Sequence, residues 1–229
     1  MRTARPRLPS TPGARNGTRE RLLDAAEKLF AARGFRATSV RAITTEAGCN
    51  VAAVNYHFGG KTGLYREMFR RRLGALREQR ISSIRQAMAR AGDGASLELP
   101  LRAFTNSFLE PHLDESGGRR WMRLISRELL DPHLPPGTFQ REMVGPVQKA
   151  LTEAVRPVCR GLDARAARRC FHSLVAQLVH VVQMRHAPGA ARGGHPDDFA
   201  LAAVVDHIVR FSAAGFRAHA RREAPGSAS

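Results

Sequence analysis

Residues 18–64 read TRERLLDAAEKLFAARGFRATSVRAITTEAGCNVAAVNYHFGGKTGL, and this stretch decides the fold. Apolar residues at Leu22, Leu23, Ala26, Leu29 and Phe30 recur at helical spacing, the stripe of an amphipathic helix beginning near Thr18. Gly34 ends it, because glycine takes the left-handed conformation that closes a helix. A second, short helix has Thr38 as its N-cap candidate, carries Val40, Ile43 and Ala47 on one face, and stops at Gly48. Asn50 caps a third helix over residues 51–58, closed by Gly59 and Gly60. From Lys61 a long fourth helix turns Leu64, Met68, Leu73 and Leu76 inward, and Arg66, Arg70, Arg71, Arg72, Arg77 and Arg80 outward. It should break near residues 91–94.

Outward from this stretch, helical spacing continues and no segment alternates convincingly enough to be a strand, so the chain reads as all-α. Helices are expected over about 97–113, 119–130, 139–159 with a kink at Pro146, 163–186, and 196–222. Pro196 suits a first helical position, with Asp197 and Asp198 complementing the helix dipole behind it. Residues 1–16 hold prolines, hydroxyl residues and four arginines without apolar periodicity, and read as a disordered basic arm; residues 223–229 read as a disordered tail. The expected organisation is therefore the arm, a helix-turn-helix domain over 17–63, a helical domain over 64–222, and the tail. No internal repeat is present.

Composition narrows the function. Of 229 residues, 43% are hydrophobic, enough for a packed core. No run of eighteen apolar residues exists, so no membrane span is expected, and no apolar segment follows the basic start, so no secretory leader is expected either. Cys49, Cys159 and Cys170 are too few and too scattered for a disulfide framework or a CxxC metal site. The formal net charge is +17, and it is uneven: residues 1–90 hold 19 basic and 6 acidic residues, whereas residues 91–229 hold 18 and 14. Such asymmetry points the first part at a polyanion. All but three of the basic residues are arginine, as a GC-rich coding bias would also produce, but that bias explains the total better than the asymmetry.

The second and third helices, joined by Gly48-Cys49-Asn50, form a helix-turn-helix candidate in which Ile43, Ala47, Val51 and Val54 lock the pair together. The opposite face of the third helix carries Ala52, Ala53, Asn55, Tyr56 and His57. Small side chains let a helix approach base edges, an alanine methyl meets a thymine methyl, and an asparagine pairs with adenine. Tyr56, Arg41, Lys61 and the backbone amides following Thr38-Ser39 and Asn50 suit phosphates. Arg2, Arg5, Arg7 and Arg15 either follow DNA or belong to a solvated tail.

These residues resemble the DNA-binding domain of TetR/AcrR-type transcriptional regulators. The marks are LLDAAxxLF, the glycine-aromatic step before Thr38-Ser39-Val40, the I-(A/T)-xx-AG step, and the spacing of Tyr56, Phe58, Lys61 and Leu64. Cys49 stands where the family has an aliphatic residue, Asn50 where serine is commoner, and Thr44 where alanine follows the isoleucine. The stretch RELLDP (127–132), followed by a helix with an internal Gly-Pro, is similar to the CecR-like branch. The resemblance implies six to nine helices, a ligand-binding domain built from the later ones, and a homodimer on the last two.

Wide apolar bands over 163–186 and 196–222 independently call for cover from a second copy, the alternative being two helices central to a monomer. Phe104, Phe108, His112, Trp121, Gln177 and His180 are polar or aromatic points that could line an effector cavity; a satisfied core position explains each equally. His172 and His180 lie two turns apart, roughly 12 Å along a helix, too far to share an ion. No metal, cofactor or catalytic motif is indicated. The three cysteines read as small hydrophobes rather than redox sensors. The expected function is a ligand-responsive repressor at the nucleoid in the cytoplasm, binding a pseudo-palindromic double-stranded DNA operator as a homodimer. The alternative is a basic nucleic-acid-coating protein without an effector site.

Overall fold

The computed structural model describes residues 12–112, 117–186 and 200–221. Among the described residues the regular elements are all helical: α1 (Pro12–Ala37), α2 (Val40–Glu46), α3 (Ala52–Phe58), α4 (Lys61–Ala91), α5 (Glu98–Leu109), α6 (Gly117–Leu130), α7 (Gly145–Val155), α8 (Ala164–His186) and α9 (Leu201–Arg221). None of them is long and apolar enough to cross a membrane. α1 starts earlier than Thr18 and takes in residues 12–16, which the sequence reading assigns to the arm; its path breaks at Gly34 (φ 81°, ψ 171°), where the helix was expected to end. The remainder of the arm and the tail lie outside the described residues, as do Pro196, Asp197 and Asp198.

Two corrections follow, one to a later helix and one to α4. The expected single helix over 139–159 with a proline kink is instead a π-helical turn, Gln140–Val144, leading into α7, where Pro146 stands in the first turn and needs no kink. Arg80, assigned from its neighbours to the outer cationic face of α4, is 4% exposed.

The chain divides into two compact units, residues 1–72 with 120–136 and residues 73–119 with 137–229. In the first, Leu22, Leu23, Ala26 and Phe30 of α1 close over Ile43, Val54, Leu64 and Met68, all essentially inaccessible to solvent. A run of aromatic rings extends this core, Phe30 to Tyr65 at 5.0 Å, Tyr65 to Phe69 at 5.0 Å and Phe69 to Trp121 at 5.5 Å. In the second unit α5 packs against α7, α8 and α9. Its buried Leu101, Phe104 and Phe108 share the interior with Phe171, Leu174 and Leu178 of α8 and Ile208, Val209 and Phe216 of α9. Ion pairs at the edge join α5 to α9, Arg102 to Asp206 at 2.5 Å and Glu98 to Arg217 at 2.7 Å.

Candidate nucleic-acid interface

The helix-turn-helix forms as the spacing requires. Ile43, Ala47 and Val54 are buried between α1, α2 and α3. Gly48 adopts φ 60°, which turns the chain between α2 and α3, and the Cys49 amide donates to the Thr44 carbonyl at 2.9 Å. Asn50 Oδ1 accepts from the Ala52 amide at 2.9 Å, a turn just ahead of α3, whose N-cap is Val51 rather than the expected Asn50. The cap of α2 is Ser39 rather than Thr38: the Ala42 amide donates to Ser39 Oγ at 3.1 Å. Thr38 is wholly buried, and its hydroxyl lies 2.7 Å from the Gly34 carbonyl and 3.3 Å from that of Leu29, knitting the end of α1. A side chain so committed faces no ligand.

The outer surface of α3 carries Ala52, Asn55 and Tyr56 exposed, with Ala53 and His57 half-buried; Ser39, Arg41 and Asn50 are exposed beside it. Tyr56 is 68% exposed and its ring stacks edge-on with His57 at 4.9 Å. Val51, expected to lock the two helices, is 47% exposed at the N-cap of α3, because Val54 already fills the inward position. It joins the outer surface as an apolar element that the alternation of buried positions hid. Lys61 is half-buried: Nζ lies 4.4 Å from the Phe35 ring centroid and donates to the Arg36 carbonyl at 3.4 Å. Burial holds its pKa below the ordinary lysine value. At the start of α4, a Cβ on Gly63 would fall 1.8 Å from the Phe58 carbonyl oxygen, so glycine is what lets the end of α3 touch α4.

Charge is partitioned across this unit. Between Ala47 and Arg66 the chain has no carboxylate, and the first turns of α2, α3 and α4 contain none. The acidic residues of 17–72 are each tied to a base elsewhere. Arg71 binds Glu20 at 2.8 Å and Asp24 at 2.7 Å with Glu27 at 3.7 Å, Glu67 holds Arg19 and Arg70, and Glu46 meets Lys28 at 2.6 Å. The result is an α3 surface without negative charge.

The RELLDP stretch braces this unit from inside. Arg127 donates to the Ala31 and Ala32 carbonyls at 3.3 and 3.1 Å, placing a cation on the last carbonyls before α1 breaks at Gly34. Glu128 is buried and accepts from the Tyr65 hydroxyl at 2.8 Å and from the amides of His133 and Leu134 at 3.0 and 2.7 Å. Burial, reinforced by that carboxylate, pushes the Tyr65 phenol well above its ordinary pKa. Asp131 takes a two-pronged contact from Arg36 at 3.1 and 3.2 Å, and His133 lies against Phe35 at 4.1 Å.

Of the six residues read as effector-lining, five fall in the second unit and Trp121 in the first. Phe104, Phe108 and His112 are buried together in the second unit, with Phe108 5.9 Å from Phe104 and 6.0 Å from His112. Trp121 belongs to the core of the first unit, beside Phe69 and the Arg72 guanidinium. Gln177 is half-buried and donates to the Ser173 carbonyl of its own helix, and His180 is exposed. Sequence reasoning missed Arg80, whose guanidinium lies 4.2 Å over the Phe108 ring. Its place four residues after Leu76 and four before Ile84, both buried, is the signal that it belongs to the inward stripe.

Residues 22–68 match the family model for bacterial regulatory proteins of the tetR family, and residues 102–215 match that for the tetracyclin repressor-like C-terminal domain. The candidate HTH-type transcriptional regulator YttP of Bacillus subtilis (strain 168) is 45% identical over 47 residues, which are 20% of this chain and 23% of that protein. The HTH-type transcriptional dual regulator CecR of Shigella flexneri is 28% identical over 160 residues, 68% of this chain and 70% of that one. A crystal structure of a candidate transcriptional regulator from Pseudomonas aeruginosa PAO1 superposes with a TM-score of 0.68, covering 93% of this chain and 95% of that one at 22% identity, a likeness of fold. With the helix-turn-helix geometry and the two domain matches in agreement, the chain belongs to the TetR family and is a DNA-binding transcriptional regulator.

Proposed function

We propose that this regulator is a ligand-responsive repressor that docks on a pseudo-palindromic operator as a homodimer. The observation that carries the reading is the outer surface of α3: exposed, free of carboxylate, and built from Val51, Ala52, Ala53, Asn55 and Tyr56. In the proposed complex Asn55 reads a base edge, Val51 and the alanines touch thymine methyls, and Ser39, Arg41, Asn50, Tyr56, His57 and Lys61 fix the backbone. Thr38 has no part in it beyond holding α1 to α2. The repressor sense is supported by the tetracyclin repressor-like match over 102–215 and by likeness to the HTH-type transcriptional repressor KstR2 of Rhodococcus jostii (strain RHA1).

Dimerisation is supported by what α8 and α9 leave uncovered. Phe171, Leu174, Leu178 and Val182 bury one face of α8, while Val175, Val179 and Val181 are half-exposed and Met184 and Phe211 are 45% and 63% exposed. A second copy covering this band would set two recognition helices about one DNA turn apart, roughly 34 Å. An effector held in the second unit acts by favouring the conformation that docks poorly.

Footprinting on the DNA flanking the protein's own gene, with competition from random duplex, tests the reading. A regulator protects a two-fold symmetric site and prefers it over random duplex by roughly a thousandfold or more. Equal competition would instead identify a coating protein. Repeating the footprint with a cell extract should release the site if an effector acts, and sedimentation on the cognate duplex should give two subunits per site.

A further inference from the structure

Among the described residues, the interior of the second unit contains a cation with no carboxylate partner. Arg80 is 4% exposed, deep in the apolar stripe of α4. Its Nη1 reaches the Met143 sulfur at 3.1 Å, its plane lies over Phe108, and its Nε is buried without a hydrogen-bond acceptor. No carboxylate among the described residues pairs with it. The acids nearby in sequence are engaged by other groups: Glu78 and Glu142 by Arg77 at 3.1 and 3.8 Å, and Glu110 by Gln79 at 3.0 Å. Burial lowers the Arg80 pKa to about 10, which leaves it charged at neutral pH. A thioether is a poor acceptor and a ring face a weak counterpart for a guanidinium removed from water. An isolated buried charge persists where something else supplies its partner.

What surrounds it indicates the chemistry of that partner. The immediate neighbours are the Phe108 ring and the flexible Met143 side chain, with Phe104 one turn away and the buried Thr105 hydroxyl, which has no hydrogen-bond partner, on the same helix. Met143 is only half-buried and sits in the π-helical turn Gln140–Val144, a backbone irregularity of the kind found beside ligand sites. One guanidinium among aromatic and apolar groups matches a single negative charge on an apolar body. A doubly charged phosphate would bring a second charge that nothing here meets.

We propose that Arg80 is the anchor of the effector site, and that the effector is a monocarboxylate with an apolar or aromatic body, its two oxygens taking the guanidinium fork now turned to Met143. This rests on the reading that the second unit binds an effector, and it names the chemical class. The bidentate geometry favours arginine over lysine, so the substitution Arg80→Lys retains charge but weakens recognition.

Thermal melting of the full chain tests it in two steps. Without additives, Arg80→Met removes an uncompensated charge at nearly the same volume and should raise Tm by a few degrees, roughly 2–4 °C. A fall in Tm would show that Arg80 holds an internal partner and would overturn the proposal. Next, straight-chain acids from butyrate to dodecanoate, with phenylacetate and benzoate, are compared with their neutral amides at millimolar concentration. At least one acid should raise the wild-type Tm while its amide does not, and the response should vanish in Arg80→Met. Equal shifts by acid and amide, the same response in Arg80→Met, or no response to any acid would each overturn it. The two readings fail separately. An extract that still releases the operator after its acids are stripped on an anion exchanger sinks the carboxylate and keeps the effector. If acids act through Arg80 but nothing releases the operator, the site stands and the regulatory reading falls.

Discussion

Glu128 in the first unit and Arg80 in the second are equally withdrawn from solvent, each 4% exposed, and their surroundings are opposite. Glu128 accepts from a phenol and two backbone amides that its own segment and α4 supply. Arg80 finds a sulfur atom and a ring. Hydroxyls show it in part: Thr38 of the first unit reaches two carbonyls and Ser107 of the second donates to the Phe104 carbonyl at 2.9 Å, whereas Thr105 and Ser212 of the second are buried without a partner. A polar interior that closes on itself fixes one conformation; one left open is stable only to the degree that something else completes it. On the proposed reading, the first unit is the head that presents α3, and the second is the part whose state an effector would change.

The most severe way to break the head is at its tightest joint. Gly63→Ala puts a methyl where the Phe58 carbonyl oxygen lies 1.8 Å away, so α3 must shift off α4. The expected cost is about 4 kcal/mol in stability, with operator affinity reduced at least ~100-fold as the reading surface is displaced. Circular dichroism melting and a gel-shift titration check both. Unchanged operator affinity would mean that the α3–α4 joint does not set the reading geometry.

Glu128→Ala attacks the closed interior directly. It strands the Tyr65 hydroxyl and two amides, and should destabilise the chain by about 3 kcal/mol, with Glu128→Gln losing roughly half as much because the amide oxygen still accepts. Urea unfolding measures the pair. The sign is the informative part: removing Glu128 lowers stability, removing the Arg80 charge raises it, and two losses of similar size would erase the contrast between the units.

Much of this architecture is legible from spacing. The stripe Leu22, Leu23, Ala26, Leu29 and Phe30 gives α1, Gly34 its break, and Ile43, Ala47 and Val54 the packed side of the helix-turn-helix, because apolar burial imposes a period that local sequence displays. The errors come where two residues compete for one role or where contacts join distant segments. Thr38 and Ser39 can both cap α2; the choice falls to Ser39 because the carbonyls of Leu29 and Gly34 take the Thr38 hydroxyl, and no spacing rule shows that. Trp121 joins Phe69 across 52 positions and could not be assigned to the first unit from its own helix. Arg80 was hidden by its company, since the arginines around it on α4 are more exposed and a charged side chain is read as solvated by default.

Smaller changes on the α3 surface sharpen the division between reading and holding. Asn55→Ala should cost about 1–3 kcal/mol at one operator position and relax the preference there, leaving binding to random duplex unaltered. Lys61→Ala should weaken all duplexes alike and reduce the salt slope by about one, an effect tempered by the contacts Lys61 already makes with Phe35 and Arg36. Titrations at three salt concentrations on matched and single-substituted operators separate the two. If Asn55→Ala weakened every sequence equally, Asn55 would be a backbone contact.

The weakest expected effect comes from the solvent-facing ion pairs, where the two units should behave alike. In the first, the hydrogen bond from Arg71, against some burial and aided by the charges of Arg71 and Arg19, holds the Glu20 carboxyl below its ordinary range. In the second, burial opposes ionisation of Glu98, but hydrogen bonding to Arg217, together with its charge, prevails and again lowers the pKa. A carboxyl whose pKa is lower folded than unfolded contributes stability above the unfolded value, near pH 4.5, and loses it as the pH falls through the folded value. Each pair should therefore be worth no more than about 1 kcal/mol at neutral pH, shrinking in high salt and gone below the folded pKa. Arg71→Met and Arg217→Met, melted from pH 7 down to pH 2 beside the wild type, should each converge on it at the acid end. A gap that stayed open at pH 2 would mean that these arginines act through packing of their alkyl stems rather than through charge.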